Sequence, residues 1–175
     1  MWRNEMLEFI SMLKFLLLTA LLASAEKPQQ TGIITGTVVL PSQQEISEPL
    51  QVILLSPAYA EIWVNEVQKR LDRYWQQFQP AFKYRKESFI ELSKQAHREA
   101  TNYVLTRMQR DPSSNISRYL MQTSTDGKFE FKNIPFGEYK VLALGKIGNQ
   151  EVIWHEFIDV RSDIPHFLEL KKRVP

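Results

Sequence analysis

Thr125-Asp126-Gly127-Lys128-Phe129-Glu130-Phe131-Lys132-Asn133-Ile134-Pro135-Phe136-Gly137-Glu138-Tyr139-Lys140-Val141 is the stretch on which the fold turns. Over Lys128 to Lys132 two phenylalanines alternate with three charges, the period of a strand with one dry face and one wet face. Asp126-Gly127 accepts the positive φ of a tight turn, so Tyr119 to Thr123 and Lys128 to Lys132 are expected to pair as a hairpin. Asn133 to Gly137 turns the chain again, and Glu138 to Leu144 then sets Tyr139, Val141 and Ala143 on one face. Phe129, Phe131 and Tyr139 are thus expected to face one core.

Downstream, Gly145 to Asn149 reads as a turn, Glu151 to Val160 as a strand and His166 to Lys171 as a last strand. Upstream, Gly32 to Leu40 is β-branched, with Ile34, Val38 and Leu40 on one face around Gly36, a glycine that permits a bulge or a close backbone approach. Pro41 and the polar run Ser42 to Glu48 end that strand. Leu50 to Leu55 resumes with Val52 and Leu54 on one face and Ile53 and Leu55 on the other. A strand apolar on both faces is covered on both, so something must lie over the outer face of its sheet. Short strands about every ten residues, separated by turn residues, indicate a sandwich.

Residues 57–111 break that rhythm: the segment has no glycine and one internal proline. Ala60, Val64, Val67, Leu71, Tyr74 and Phe78 recur at spacings of four and three, a coiled-coil-like stripe widened by Trp63 and Trp75. Ser56 suits an N-cap and Pro57 a first helical position. Gln79-Pro80 stops the run, and Ser88-Phe89-Ile90-Glu91 has the capping-box pattern that restarts it. The second helix carries Phe89, Leu92, Ala96, Ala100 and Tyr103 and ends with Arg107 and Arg110 at its negative dipole end. The pattern predicts two antiparallel helices of about 22 residues, each about 33 Å long. The other reading is a single break at Pro80 and a second helix of about 30 residues.

The chain has 175 residues, 43% hydrophobic and 24% charged, the balance of a globular protein. Its 22 basic and 20 acidic residues leave a net charge of +2, too small a field to draw in nucleic acid. Cysteine is absent, which removes disulfides, thiolate zinc sites, cysteine nucleophiles and a lipid-bearing cysteine. At the N-terminus Lys14 precedes Phe15 to Ala25, an uncharged apolar run closing in Ala23-Ser24-Ala25, the pattern of a secretory signal. The organisation read from the sequence is a signal peptide over 1–25, a polar lead-in over 26–31, a sandwich over 32–172 and a helical hairpin inserted at 57–111. A membrane enters only if the signal stays uncleaved as an anchor.

No catalytic constellation is visible. His97, His155 and His166 lack the His-Glu-x-x-His spacing that sets two imidazoles on one helical face, so no metal site is expected. Glu87 and Glu91 at four-residue spacing read as a solvated helix face rather than an acid and base pair. Asn115-Ile116-Ser117 is a sequon, meaningful only in a eukaryotic secretory pathway. The aromatic residues of the insert carry more weight. Trp63, Tyr74, Trp75, Phe78, Phe82, Tyr84, Phe89 and Tyr103 exceed what a two-helix seam buries. Either they pack on the sandwich or some form a patch for a partner, with Trp63, Tyr74, Trp75 and Tyr84 the candidates. A third reading lays the hairpin on a membrane, since Lys69, Arg70, Arg73, Lys83, Arg85 and Lys86 surround the same aromatics.

Ile34-Thr35-Gly36-Thr37-Val38 with Pro41-Ser42, the Thr125 to Val141 signature, and the closing Phe157 to Val160 and Phe167 to Leu170 together resemble carboxypeptidase regulatory-like domains. The resemblance covers 32–55 and 119–172, about half the chain. It implies a mainly β fold, a seven-stranded, transthyretin-like (Greek-key) β-sandwich, here with an inserted antiparallel α-helical hairpin. It also implies an accessory or adhesive role with no reaction and no cofactor. Neither a zinc peptidase domain nor the C-terminal tetrapeptide of transthyretin-like hydrolases is present in the Lys172-Arg173-Val174-Pro175 ending. The reading is therefore a secreted or periplasmic, non-enzymatic binding or structural module that meets a protein partner or a second copy through its helical insert. Carbohydrate binding through exposed aromatics is the first alternative, and an enzyme with an unrecognised site is the second.

Cleavage after Ala25 makes Glu26 the mature N-terminus, and N-terminal sequencing of exported protein is expected to begin there. An intact 15–25 segment on membrane-bound protein would contradict it.

Overall fold

The computed structural model describes residues 29–39, 48–147 and 150–171. The expected signal segment, residues 26–28 of the polar lead-in and Leu40 lie outside these residues. In chain order the elements are β1 (Thr31–Val39), β2 (Gln51–Leu55), α1 (Pro57–Phe78), α2 (Lys86–Arg110), α3 (Ile116–Tyr119), β3 (Leu120–Gln122), β4 (Lys128–Pro135), β5 (Gly137–Ile147), β6 (Gln150–Val160) and β7 (His166–Lys171). The strands form a three-stranded sheet in the order β4-β1-β7 and a four-stranded sheet in the order β3-β2-β5-β6. The chain is not mainly β, as the resemblance implied: helix and strand hold similar shares, because the two long helices outweigh either sheet.

β1 alternates as its sequence predicts, with Gly32, Ile34, Gly36 and Val38 turned inward. It pairs antiparallel with β4, placing Gly36 opposite Phe129, and parallel with β7. A Cβ on Gly36 would lie 2.2 Å from Cζ of Phe129 and 2.7 Å from the Leu168 carbonyl oxygen, so the missing side chain is what lets that ring lie across β1. One residue of β4 is extra: Ile34 faces Phe131 while Gly32 faces Ile134, and Asn133 adopts φ 56°. The bulge reverses the inside and outside parity of β4, so Ile134 joins Phe129 and Phe131 in the core instead of pointing into solvent.

Between the sheets, Ile34, Val38, Phe129, Phe131, Ile134 and Leu170 meet Val52, Leu54, Tyr139, Val141, Ala143, Trp154 and Val160. The Tyr139 hydroxyl donates to the Pro135 carbonyl at 2.9 Å. Burial, reinforced by neighbouring Tyr119, pushes that phenol up to about 12.

Two local expectations need correction. The turn at Thr125 to Gly127 does not close a hairpin, because β3 pairs with β2 and β4 pairs with β1. The Thr123 amide donates to the Leu50 carbonyl at 2.8 Å, and its hydroxyl accepts from the Leu50 amide at 3.1 Å, which ties the chain to the four-stranded sheet. Four residues later the Gly127 carbonyl accepts from the Val38 amide at 3.0 Å, and the chain has changed sheets. Gly127, at φ 78°, supplies the predicted turn conformation; which sheet receives the next strand is not a property of the turn.

The start of α2 also departs from the sequence pattern. It begins at Lys86, ahead of the Ser88–Glu91 capping box, with Arg85 as N-cap and no side-chain cap. A 3₁₀ turn over Gln79–Ala81 reverses the chain early, and the Tyr84 and Arg85 amides both donate to the Ala81 carbonyl, at 3.0 and 3.1 Å. Glu91 pairs with Lys94 at 2.6 Å instead. Pro57 does open α1 behind Ser56, although the Ser56 hydroxyl makes no capping bond. The helices have 22 and 25 residues.

The outer face of the four-stranded sheet is covered by the hairpin. Ile53, Leu55 and Leu142 pack under Ala60, Trp63 and Val67 of α1 and Ala100, Val104 and Met108 of α2. The helix phase differs from the predicted stripe, since Trp63 is 3% exposed and Val64 is 44% exposed. The indole can be buried because its Nε1 donates to Thr101 Oγ1 at 2.9 Å, and that hydroxyl donates to the His97 carbonyl at 2.8 Å.

Phe131→Ala is expected to cost about 3 to 5 kcal/mol in urea or thermal unfolding. Glu130→Ala, one residue away on the wet face, is expected to stay within about 0.5 kcal/mol. Equal shifts would contradict the facing of β4.

Candidate functional site

The helical hairpin divides into two zones. Between Gln68 and Gln95 none of the described side chains is fully buried, whereas the flanking turns nearer the sandwich supply the buried residues of both helices.

At the root, Trp63 sits 5.5 Å from the His97 ring and 5.3 Å from the His155 ring, and the two imidazoles stack nearly parallel, at 7° and 5.9 Å. His97 Nδ1 donates to the Ser93 carbonyl at 2.8 Å. Lys140, on β5 beside Leu142, is buried with its Nζ 4.9 Å from the Trp63 ring centre and 3.8 Å from that of Phe157. An ammonium set against two ring faces gains a cation–π attraction where water is scarce. This is a junction between hairpin and sheet that the sequence reading did not foresee. Its one sequence signal was parity: Lys140, His155 and Phe157 share the outer face of their strands with Leu142.

Further along, Glu99 ties the helices together. It accepts from the Tyr74 hydroxyl at 2.9 Å and Gln95 Nε2 at 2.8 Å, and pairs with Arg70 Nε at 3.3 Å. The Gln95 and Tyr74 hydrogen bonds, with the Arg70 charge, hold the Glu99 carboxyl below its ordinary range. Burial and the bond to Glu99 push the Tyr74 phenol up. Arg70 also pairs with Glu66 and lies over the Tyr103 ring at 5.8 Å.

Open clefts border the hairpin among the described residues. One of about 630 Å³ runs along Arg70, Glu99, Tyr103, Arg107 and Arg110. Another, of about 440 Å³, lies at the root, where the Tyr59 hydroxyl donates to Asp111 Oδ2 at 2.6 Å. Asp111 also accepts from the Ser113 amide and hydroxyl, at 2.9 and 2.6 Å, and these bonds hold its carboxyl below the usual range. The carboxylates in both clefts are thus occupied in positioning helices. Among the described residues no group of three or more His, Asp or Glu is placed to hold a metal ion.

The tip is aromatic. Trp75 meets Phe82 at 5.1 Å and Phe89 at 5.3 Å, both edge to face, and Phe78 stacks on Phe89 at 6.0 Å. Of the four sequence candidates, Trp63 is in the core of the junction and offers no surface, which corrects its assignment as a partner residue. Tyr74 is half-buried with its hydroxyl on Glu99. Trp75, 37% exposed, and Tyr84, 80% exposed, stand at the tip with exposed Ile90, which the sequence reading did not single out. Val64 and Phe157 are also exposed, around a separate hollow of about 260 Å³ near Pro57 and Glu138.

No family model matches the chain, and no curated protein matches it. Among solved structures, the chain is similar to a candidate carbohydrate-binding protein of Pseudomonas aeruginosa, at 12% identity and TM-score 0.36 over 86% of this chain and 94% of that one. It is also similar to the major pilin subunit of Bacillus cereus, at 9% identity and TM-score 0.38 over 82% of this chain and 31% of the pilin. The pilus backbone protein of Streptococcus pneumoniae superposes at 11% identity and TM-score 0.34, over 81% and 41%. The chain thus spans less than half of either pilin, and at these TM-scores the description of the fold rests on the chain's own sheets.

Because the Glu99 carboxyl is held low, its stabilisation is present above the ordinary glutamate pKa of about 4.3 and is lost as pH falls through the depressed value. Glu99→Gln is expected to lower the thermal midpoint at pH 7, and the gap from the parent is expected to close below about pH 4. A gap that persists unchanged at acid pH would show that the Glu99 charge is not what joins the helices.

Proposed function

We propose that this chain is an exported, non-catalytic binding or structural module of the cell envelope or extracellular space, built on a seven-stranded, Greek-key, transthyretin-like sandwich of the carboxypeptidase regulatory-like kind. It meets its partner, a protein or a second copy, through the outer half of its helical hairpin. The observation that carries this reading is the contrast within the hairpin. Its root is explained by the need to cover Ile53, Leu55 and Leu142. Its outer half holds Trp75, Phe78, Phe82, Tyr84, Phe89 and Ile90, yet none of them is buried. Clustered large apolar side chains left partly wet mark interaction surfaces more often than folding cores.

Export is supported by the signal pattern over 1–25. Among the described residues no helix is long and apolar enough to cross a membrane. Carbohydrate stacking would have to use Trp75 and Tyr84, since Trp63 is enclosed.

Replacing residues 75–94 with a short glycine-containing turn removes the aromatic tip and keeps the Tyr74, Gln95 and Glu99 cross-link together with every residue over Ile53 and Leu55. The shortened protein is expected to fold, with a thermal midpoint within several degrees of the parent, and to lose self-association in light scattering or partner capture from native envelope. Unchanged mass and unchanged partners would move the interaction surface to the sandwich loops.

A further inference from the structure

Within the outer half of the hairpin, charge is distributed unevenly. From Arg73 to Lys86 there are four basic residues, no acidic residue and five aromatics: Tyr74, Trp75, Phe78, Phe82 and Tyr84. Nearer the root the cations are neutralised in place: Lys69 and Arg70 pair with Glu66, and Arg70 pairs also with Glu99. On the α2 side Lys94 pairs with Glu91. Among the described residues, Arg73, Lys83 and Arg85 are exposed and enter no ion pair, and Lys83 lies 5.9 Å from the centre of the Tyr84 ring. Within the outer half, the unpaired positive charge therefore gathers at the tip, around the exposed Trp75, Tyr84 and Ile90.

We infer that this tip docks on anionic lipid headgroups. The inference rests on the reading of the outer hairpin as an interaction surface and goes beyond it, giving the tip a lipid surface as occupant in place of a protein or a second copy. Arg73, Lys83 and Arg85 meet the phosphates, while Trp75, Tyr84 and Ile90 enter the boundary between headgroups and acyl chains. Tryptophan and tyrosine suit such a boundary because each joins an apolar ring to a polar N–H or O–H. Basic side chains around them supply the attraction to an anionic leaflet. Two copies joined tip to tip would bring like charges together, which opposes the second copy as occupant at this end. The clefts that could hold a peptide lie nearer the root, along Arg70 to Arg110 and at Tyr59, whereas the tip is the end of a helical pair capped by a short connector. An end of that shape fits a plane better than it fits a strand or helix of a partner.

The test uses the chain from Glu26 onward, which contains every described element and lacks the apolar 15–25 run that would bind vesicles by itself. Of its tryptophans, Trp63 and Trp154 are buried, so Trp75 is the one whose emission reports contact at the tip. Vesicles of phosphatidylglycerol with phosphatidylcholine are expected to sediment the protein and shift its emission to the blue. Pure phosphatidylcholine is expected to do neither, and added salt is expected to weaken the binding. Combining Arg73→Gln, Lys83→Gln and Arg85→Gln is expected to reduce vesicle affinity about a hundredfold with the thermal midpoint unchanged. Trp75→Phe is expected to abolish the emission shift while retaining most of the sedimentation. Absence of binding to the anionic vesicles, or binding indifferent to the triple substitution, overturns the inference. If a soluble polyanion such as heparin, or a captured protein, depends on the three cations while the vesicles do not bind, the lipid assignment falls and the outer hairpin remains the partner surface. If the vesicles fail and the 75–94 replacement also leaves mass and partners unchanged, both readings fall.

Discussion

β2 has to be dry on both faces. Val52, Ile53, Leu54 and Leu55 are all 0% exposed, the even pair against the other sheet and the odd pair under the helices. A two-layer sandwich alone would leave Ile53, Leu55 and Leu142 in water, at a cost of about 1.5 to 3 kcal/mol for each large side chain. The helical insertion removes that cost from a favourable place. It leaves the sheet at the end of β2 and returns to β3, which pairs with β2, so a third layer is added without changing the strand order. Ala60 and Ala100 sit where the helices approach the sheet, and their small side chains allow that approach.

The same layer explains how a lysine comes to be buried. Lys140 alternates with Tyr139 and Val141 on β5, so when those two face the sandwich core it must face the helices. Its ammonium is accommodated by Trp63 and Phe157, and the stacked His97 and His155 complete the junction. Covering the sheet and holding the hairpin are thus one set of contacts. They end near Val67 on α1, and the helix continues for about another 16 Å beyond that residue. That extension is braced by Tyr74, Gln95 and Arg70 around Glu99 and closed by rings meeting edge to face. It carries Trp75 and Tyr84 beyond the residues that cover the sheet, farther than a lid for β2 requires.

Much of this was legible in residue order. The alternation around Phe129 and Phe131, the doubly apolar β2, the need for a covering layer and the glycine-free segment could all be read without coordinates. So could the role of Gly36. The candidate surface was legible in part, because counting aromatics showed an excess over a two-helix seam and brought forward Trp75 and Tyr84. The same count also brought forward Trp63, and there the reading failed: spacing defines the stripe of a helix, but Trp63 and Val64 border the same stripe, and only the position of Thr101 and the sheet selects between them. Ser88 and Glu91 form a capping pattern that was passed over because the connector reversed three residues sooner.

By itself, then, the sequence determined what depends on neighbours along the chain: strand and helix period, the positive φ at Gly127, the break at Pro80, and the surplus of aromatic and basic residues in the insert. Only the tertiary structure decided what depends on partners far apart in the chain. It sent the chain after Gly127 to the opposite sheet, turned Trp63 inward, buried Lys140 and left the tip uncovered. The reason is physical: backbone sterics and hydrophobic period act over a few residues, whereas burial is settled by which distant surfaces come into contact, and residue order does not record that.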